Sequence, residues 1–380
     1  MRHNADEDPM DHSNPTTSRP TPRVSLPLLG LCGALALAAG ACDDDSVTGT
    51  APPIIDLMAT AGALQESTTY TVPGTGEERT LPLTIWYPTL DTSGTTTRFN
   101  PIQRDGLSFL NASVAAPRRP APLMVYSHGD RAWGGSAHRL ARQFVNNGWI
   151  VVAADHIGST LLENYDPRPG EYEIVRAYDV QAVIDYMENL PPEHPLHGLV
   201  RTDEVYLTGH SYGGRTAWLS SGVTLDMDAI AADCAGCTQG QLDAFALYRP
   251  DERIIAIAPF AGDLRTNRAS AAGYATVEMP VLFMTGTNDG DGGMPMFERA
   301  ALADVTWIQF QGGCHESFTG TLTCDTLDLD ASVEATATYL IAFGEVHVRH
   351  SSNPAMQAIV DGTTEVANFA TYQHSPTRRP

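Results

Sequence analysis

A serine set between glycines, with an aspartate and then a histidine further along, is the pattern in this chain that could do chemistry. The segment Gly209-His210-Ser211-Tyr212-Gly213-Gly214 follows a short apolar run and opens a helical one. Glycines at those positions relieve the crowding of a sharp strand-to-helix turn, which leaves the serine Oγ exposed at the start of the helix. A serine hydroxyl is a poor nucleophile until an imidazole takes its proton, and the imidazole needs an acid to fix its tautomer and stabilise its positive form. Where such a turn carries a nucleophile, the acid and the histidine follow it in that order. Asp289, in Gly286-Thr287-Asn288-Asp289, and His315, in Gly312-Gly313-Cys314-His315, satisfy the order, with Asp291 as the alternative acid. Asp289-Gly290-Asp291-Gly292 also resembles the start of a calcium loop, yet the twelfth position is Ala300, where such a loop needs a bidentate glutamate. An oxyanion needs two main-chain donors. The N–H of Tyr212 is one, and the N–H of Asp130, in His128-Gly129-Asp130, is the other. The Asp130 carboxylate must then point away from the developing anion, with Arg131 as its expected partner. Trp133 and Trp218 are candidate walls of a substrate cleft, with ordinary core packing as the competing reading.

The elements that must position these groups read as alternating strands and helices. Residues 123–127, 150–154, 205–208, 254–258, 281–285 and 306–310 are short, nearly continuous apolar runs, the signature of parallel strands buried on both faces. Helical stretches at 137–146, 173–189, 211–221 and 295–303 separate several of them, and 333–343 reads as a closing helix. That rhythm predicts a doubly wound α/β sheet in which Ser211, Asp289 and His315 sit at carboxyl ends of strands, where ligand crevices open. Before it, 68–72 and 81–87 flank a Gly-Thr-Gly-Glu-Glu turn and predict an antiparallel hairpin at one sheet edge, and 89–119 reads as a long polar loop. The expected organisation is a leader at 1–41, a tether at 42–67, a catalytic domain at 68–345 with a cap insertion at 222–250, and a peripheral extension at 346–380.

Ile85-Trp86-Tyr87-Pro88, Val125-Tyr126-Ser127-His128-Gly129, the run 151–160, Arg176-Ala177-Tyr178-Asp179 and the Ser211 turn together resemble the bacterial dienelactone-hydrolase-like group related to platelet-activating-factor acetylhydrolases. The likeness covers about residues 70–345. It implies an α/β-hydrolase fold, mostly parallel and doubly wound with the antiparallel N-terminal edge hairpin. It also implies Ser211 as nucleophile, Asp289 as acid, His315 as base, and main-chain donors near Asp130 and Tyr212. Dienelactone hydrolases proper carry a cysteine at the elbow where this chain has Ser211, so their own substrate does not follow from the likeness. The group also includes polyester-cleaving, cutinase-like relatives.

With 42% apolar and 18% charged residues the chain can bury a large core, and its net charge of −22 disfavours nucleic acid as a partner. All 23 basic residues are arginine, which points to no function. Residues 28–41 form an apolar run too short to span a bilayer and suited to a signal peptide. Ala39-Gly40-Ala41-Cys42 resembles a lipoprotein processing site, so lipid on Cys42 would attach an exported protein to a membrane, with simple cleavage nearby as the alternative. Of the six cysteines, Cys234, Cys237, Cys314 and Cys324 then remain, and proximity pairs them as 234–237 and 314–324, although four cysteines allow three pairings. The sequence therefore predicts an exported serine hydrolase acting on small-molecule or polymeric carboxylic esters, with no metal and no organic cofactor. A peptidase or amidase of the same fold and a non-catalytic binding lipoprotein are its alternatives.

Overall fold

The computed structural model describes residues 53–375 apart from 164, 166–167 and 291; the leader, Cys42 and Asp291 lie outside the described residues. Eleven strands form one mixed sheet, in the order β11-β10-β9-β8-β7-β5-β6-β2-β1-β4-β3. They are β1 Ala61–Thr71, β2 Glu78–Tyr87, β3 Thr96–Arg98, β4 Arg104–Leu110, β5 Ala121–Ser127, β6 Ile150–Ala154, β7 Val200–His210, β8 Ile254–Phe260, β9 Val281–Gly286, β10 Val305–Phe310 and β11 Ala370–Ser375. The six central strands, β5 to β10, run parallel, as expected of chain segments with no polar face. The β1–β2 hairpin joins β6 antiparallel, so the sheet turns from parallel to antiparallel at that junction.

Helices cover both faces. On one side α2 (Tyr172–Glu188) and α3 (Tyr212–Leu219) bury Ile174, Val183, Ala217 and Trp218 against Leu123, Val125, Val152 and Leu207. On the other, α1 (His138–Asn146) and a long helix over Leu329–His347 bury Leu140, Phe144, Leu340 and Phe343 against Met124, Tyr126, Val151 and Tyr206. Alternate residues of one strand thus feed opposite cores, which is why the strands read as unbroken apolar runs.

Four expectations need correction. The tether expected at 42–67 ends earlier, because β1 starts at Ala61 and buries Ala61, Ala63 and Leu64 between β2 and β4. The polar stretch 89–119 contains β3 and β4, held by the buried Arg142–Asp105 ion pair at 3.1 Å. The extension at 346–380 is built into the sheet: its residues 370–375 are β11, antiparallel to β10. The expected cap at 222–250 folds as two helices, Met227–Asp233 and Gln239–Leu247. The second packs on α2, where Tyr178 donates to the Ala244 carbonyl (2.9 Å), and neither lines the cavities at Ser211.

Candidate active site

Strand β7 ends at His210 and α3 begins at Tyr212, so Ser211 alone makes the turn, at φ 55° and ψ −116°. A non-glycine residue at positive φ carries strain of about 1–3 kcal/mol and persists only where its surroundings impose it. Here they do. A Cβ on Gly213 would lie 1.9 Å from the Ser127 carbonyl oxygen, and one on Gly262 would lie 2.0 Å from that of Ser211. The Ser211 N–H is tied to the Phe260 carbonyl at 2.9 Å. The Tyr212 N–H, in the first turn of α3, has no preceding helical carbonyl to bond, and so is free to act as a donor.

Asp289 follows β9 and His315 follows β10, and the two loops are stitched together. Asn288 N–H donates to the Gly313 carbonyl (2.8 Å), and Gly312 N–H donates to Thr287 Oγ1 (2.8 Å). His315 Nδ1 lies 2.9 Å from Asp289 Oδ1, which leaves Nε2 as its outward nitrogen. Ser211 and His315 both line each of two cavities, of about 510 and 300 Å³. The hydrogen bond to Asp289 raises the His315 pKa above the ordinary imidazole value, against the opposing effect of burial.

Behind His315 stands His210, the residue before Ser211. Its ring is buried 4.8 Å from that of His315, and Nε2 donates to the His315 carbonyl at 2.8 Å. Burial, with the neighbouring charge of His315, pulls its pKa down to about 4, so it stays neutral. His210, His315 and Glu316 place ligand-capable atoms within 4.8 Å of one another, the spacing of a metal cluster. The His210 Nε2 and His315 Nδ1 positions, however, are already committed to the carbonyl and to Asp289. The disulfides are Cys234–Cys237 and Cys314–Cys324, the pairing that proximity favours. The second closes a loop holding His315, Glu316 and Leu322. Replacing Cys314 and Cys324 together by serine is expected to cost about 2–3 kcal/mol through lost loop closure. A thermal melt checks this, expected several degrees below that of the parent.

The loop after β5 supplies the other candidate donor. His128 Nδ1 bonds the Gly129 carbonyl (2.6 Å), and since a peptide's N–H points opposite its C=O, the Asp130 N–H faces away from the buried ring. Asp130 turns its carboxylate to Arg168 and to Ser159 Oγ (2.9 Å), not to the expected Arg131. Arg176, fully buried, donates to the His128 carbonyl and to Ser159 Oγ (3.3 Å), and its guanidinium lies 4.8 Å from the centre of the Tyr212 ring. One side chain therefore braces both sequence-predicted donor segments.

A second serine–histidine–aspartate chain lies beneath. Ser127 Oγ is 2.9 Å from His156 Nε2, and His156 Nδ1 is 2.8 Å from Asp179 Oδ2. Asp179 also accepts two bonds from Arg79 (3.1 Å each) and one from Tyr70 (2.6 Å). Ser127, His156 and Asp179 are 0, 1 and 0% exposed, and neither cavity at Ser211 is lined by them. The atom order is that of a catalytic pair, but no substrate carbonyl reaches it without opening the core. Reading the sequence missed this chain, although Asp179 and Ser127 lie in the segments that carry the family resemblance.

Of the two tryptophans, Trp133 lines the larger cavity, with its indole N–H on Gln103. Trp218 is corrected: it faces inward from α3, fully buried against Tyr274 and Phe283, and takes no part in either cavity.

No protein-family model matches the chain, and no curated protein matches it in sequence. Among solved structures it is similar to the ferulic acid esterase from Streptomyces cinnamoneus, with a TM-score of 0.61 and 18% identity, over 85% of this chain and 98% of that one. The likeness establishes the α/β-hydrolase fold.

Proposed function

We propose that the chain is an exported serine hydrolase that cleaves carboxylic esters through an acyl-enzyme, within the dienelactone-hydrolase-like group that its motifs resemble. The observation that carries this is the meeting, in the same two cavities, of a strained Ser211 at the end of β7 and the His315–Asp289 pair. Ser211 Oγ attacks the ester carbonyl while His315 Nε2 takes its proton. The oxyanion is held by the N–H groups of Tyr212 and Asp130, each donor contributing about 3 kcal/mol of transition-state stabilisation. Collapse expels the alcohol with the proton from His315, and water, activated by the same imidazole, releases the acid. Asp289 keeps Nδ1 protonated throughout. The fold of a known esterase supports the reading. The test is covalent labelling by a fluorophosphonate with peptide mapping: modification of Ser211 is expected, and an unlabelled Ser211 in folded protein sinks it.

The base must be neutral to accept a proton, and its pKa is raised. Activity is therefore expected to be low in acid and to rise through a midpoint above the ordinary imidazole value of about 6.5. A pH profile of kcat/KM with its acid limb below that value would contradict the Asp289–His315 pairing.

Export is supported by two disulfides, which persist in oxidising compartments. Among the described residues no helix is long and apolar enough to cross a membrane. The proposed attachment is lipid on Cys42, so Cys42→Ser is expected to move the protein from the membrane to the soluble fraction; retention on the membrane would refute it.

A further inference from the structure

We infer that the substrate joins a bulky apolar group to a compact, neutral, hydroxylated one, because Ser211 stands between two cavities of opposite character. The inference rests on Ser211 being the nucleophile of an ester hydrolase. Both cavities contain Ser211 and His315, so an ester held at the serine extends one arm into each.

The larger cavity, about 510 Å³, has Ala132, Trp133, Leu161 and Leu322 as its apolar walls. Of its charged neighbours, Asp130 is paired with Arg168, burial pushes the Glu316 carboxyl above its ordinary pKa, and Arg131 is exposed to solvent. Leu161 and Leu322 are 42 and 56% exposed and come from separate loops, one pinned by its N–H to the Ala132 carbonyl (3.2 Å), the other inside the Cys314–Cys324 loop. Two large apolar side chains left in water at the mouth of an apolar cavity gain by covering, and an aryl or branched alkyl arm seated between them supplies it.

The smaller cavity, about 300 Å³, is lined by Arg215, Asp263, Thr285 and Asp289. Two of its charges already face their opposites, Arg215 at 3.4 Å from Glu173 and Asp263 at 3.3 Å from Arg299, while Asp289 accepts a hydrogen bond from His315. Arg215 Nε also donates to the Asp263 carbonyl at 3.2 Å. The pocket therefore offers donors and acceptors whose charged groups are already hydrogen-bonded or paired, which suits the hydroxyls of a small polyol, each both donor and acceptor.

Four esters test this, with each kcat/KM divided by the ester's own hydroxide-catalysed rate: glyceryl 3-phenylpropanoate, 2-naphthyl glycolate, 2-naphthyl 3-phenylpropanoate and glyceryl acetate. One of the first two is expected to exceed both of the last two by at least about tenfold. Which one leads shows whether the apolar arm is the acid or the alcohol. Leu322→Glu, at an exposed position where folding is not at risk, is expected to cut that preference by about tenfold or more, as is Trp133→Ala. The inference falls if the doubly apolar ester is preferred, if all four rates agree within about threefold, or if none is turned over by protein that still labels at Ser211. Absence of both turnover and labelling would instead bring down the esterase reading beneath it.

Discussion

Ser211→Ala is expected to lower kcat for ester hydrolysis by about 10⁴-fold or more while leaving the protein folded, because what remains is the oxyanion hole and substrate binding without a nucleophile. The contrast with Ser127→Ala gives the result its force. Both serines belong to a serine–histidine–aspartate order, and Ser127 Oγ lies only 2.9 Å from His156 Nε2. Burial decides between them. Ser127 is 0% exposed, and burial with the charge of Arg176 draws the His156 pKa down to about 4, which makes its imidazole a weak base. Its hydroxyl is thus a structural donor and acceptor. Losing it leaves the buried His156 Nε2 without that partner, a matter of about 1–3 kcal/mol in stability. Ser127→Ala should therefore keep kcat within about tenfold of the parent while lowering the thermal melt. The reverse pattern, an active Ser211→Ala and an inactive but folded Ser127→Ala, would move the chemistry to the buried chain and require an opening of the sheet that the structure does not contain.

The parallel strands were legible because burial on both faces leaves no polar alternation to confuse the reading: 150–154 and β6 coincide, and β5, β8, β9 and β10 differ by one to two residues at an end. The candidate site was legible for a related reason. Ser211, Asp289 and His315 each follow such a strand directly, so locating the strands locates the crevice. Elements at the sheet's edges escaped. The first half of β1, Ala-Gly-Ala-Leu, has little β-propensity of its own, and its pairing with Ile85, Trp86 and Tyr87 is what makes it a strand. Strand β11 is polar and held chiefly by its ladder with β10, which no local pattern announces. Trp218 sits seven positions beyond Ser211, and adjacency along a helix does not distinguish the face turned to the crevice from the face turned to the core. The buried charges escaped altogether. Arg79 and Asp179 are 100 residues apart, and only the folded chain brings them together.

That pair carries the second large expected effect. Asp179→Ala should destabilise the protein by about 3–5 kcal/mol, the cost of leaving a buried guanidinium without its counter-charge. Asp179 accepts from Arg79, His156 and Tyr70, all but Tyr70 fully inside the core, and the remaining acid near Arg79 is Glu77, 4.0 Å away and half exposed. Against a total stability of about 5–15 kcal/mol, such a loss is a large fraction. Urea titration measures it, and Arg79→Met combined with Asp179→Leu separates charge from shape. If the single variant fails because Arg79 is stranded, removing both charges should recover most of the loss. If the double variant is as unstable as the single one, the packing of the aspartate, rather than its charge, supports the strand ends. The pH dependence gives an independent check. Burial pushes the Asp179 carboxyl up, but the hydrogen bond from His156 and the charge of Arg79 outweigh it and hold the pKa at about 2. The unfolded chain would bind a proton near 3.9. A depressed carboxyl contributes its stability in full above that value and loses it as pH falls towards 2. The parent should therefore weaken steadily between about pH 4 and pH 2, and the double variant should be flatter over the same interval. A parent no more acid-sensitive than the double variant would mean that Asp179 is not the ionised anchor beneath the Ser127–His156 chain.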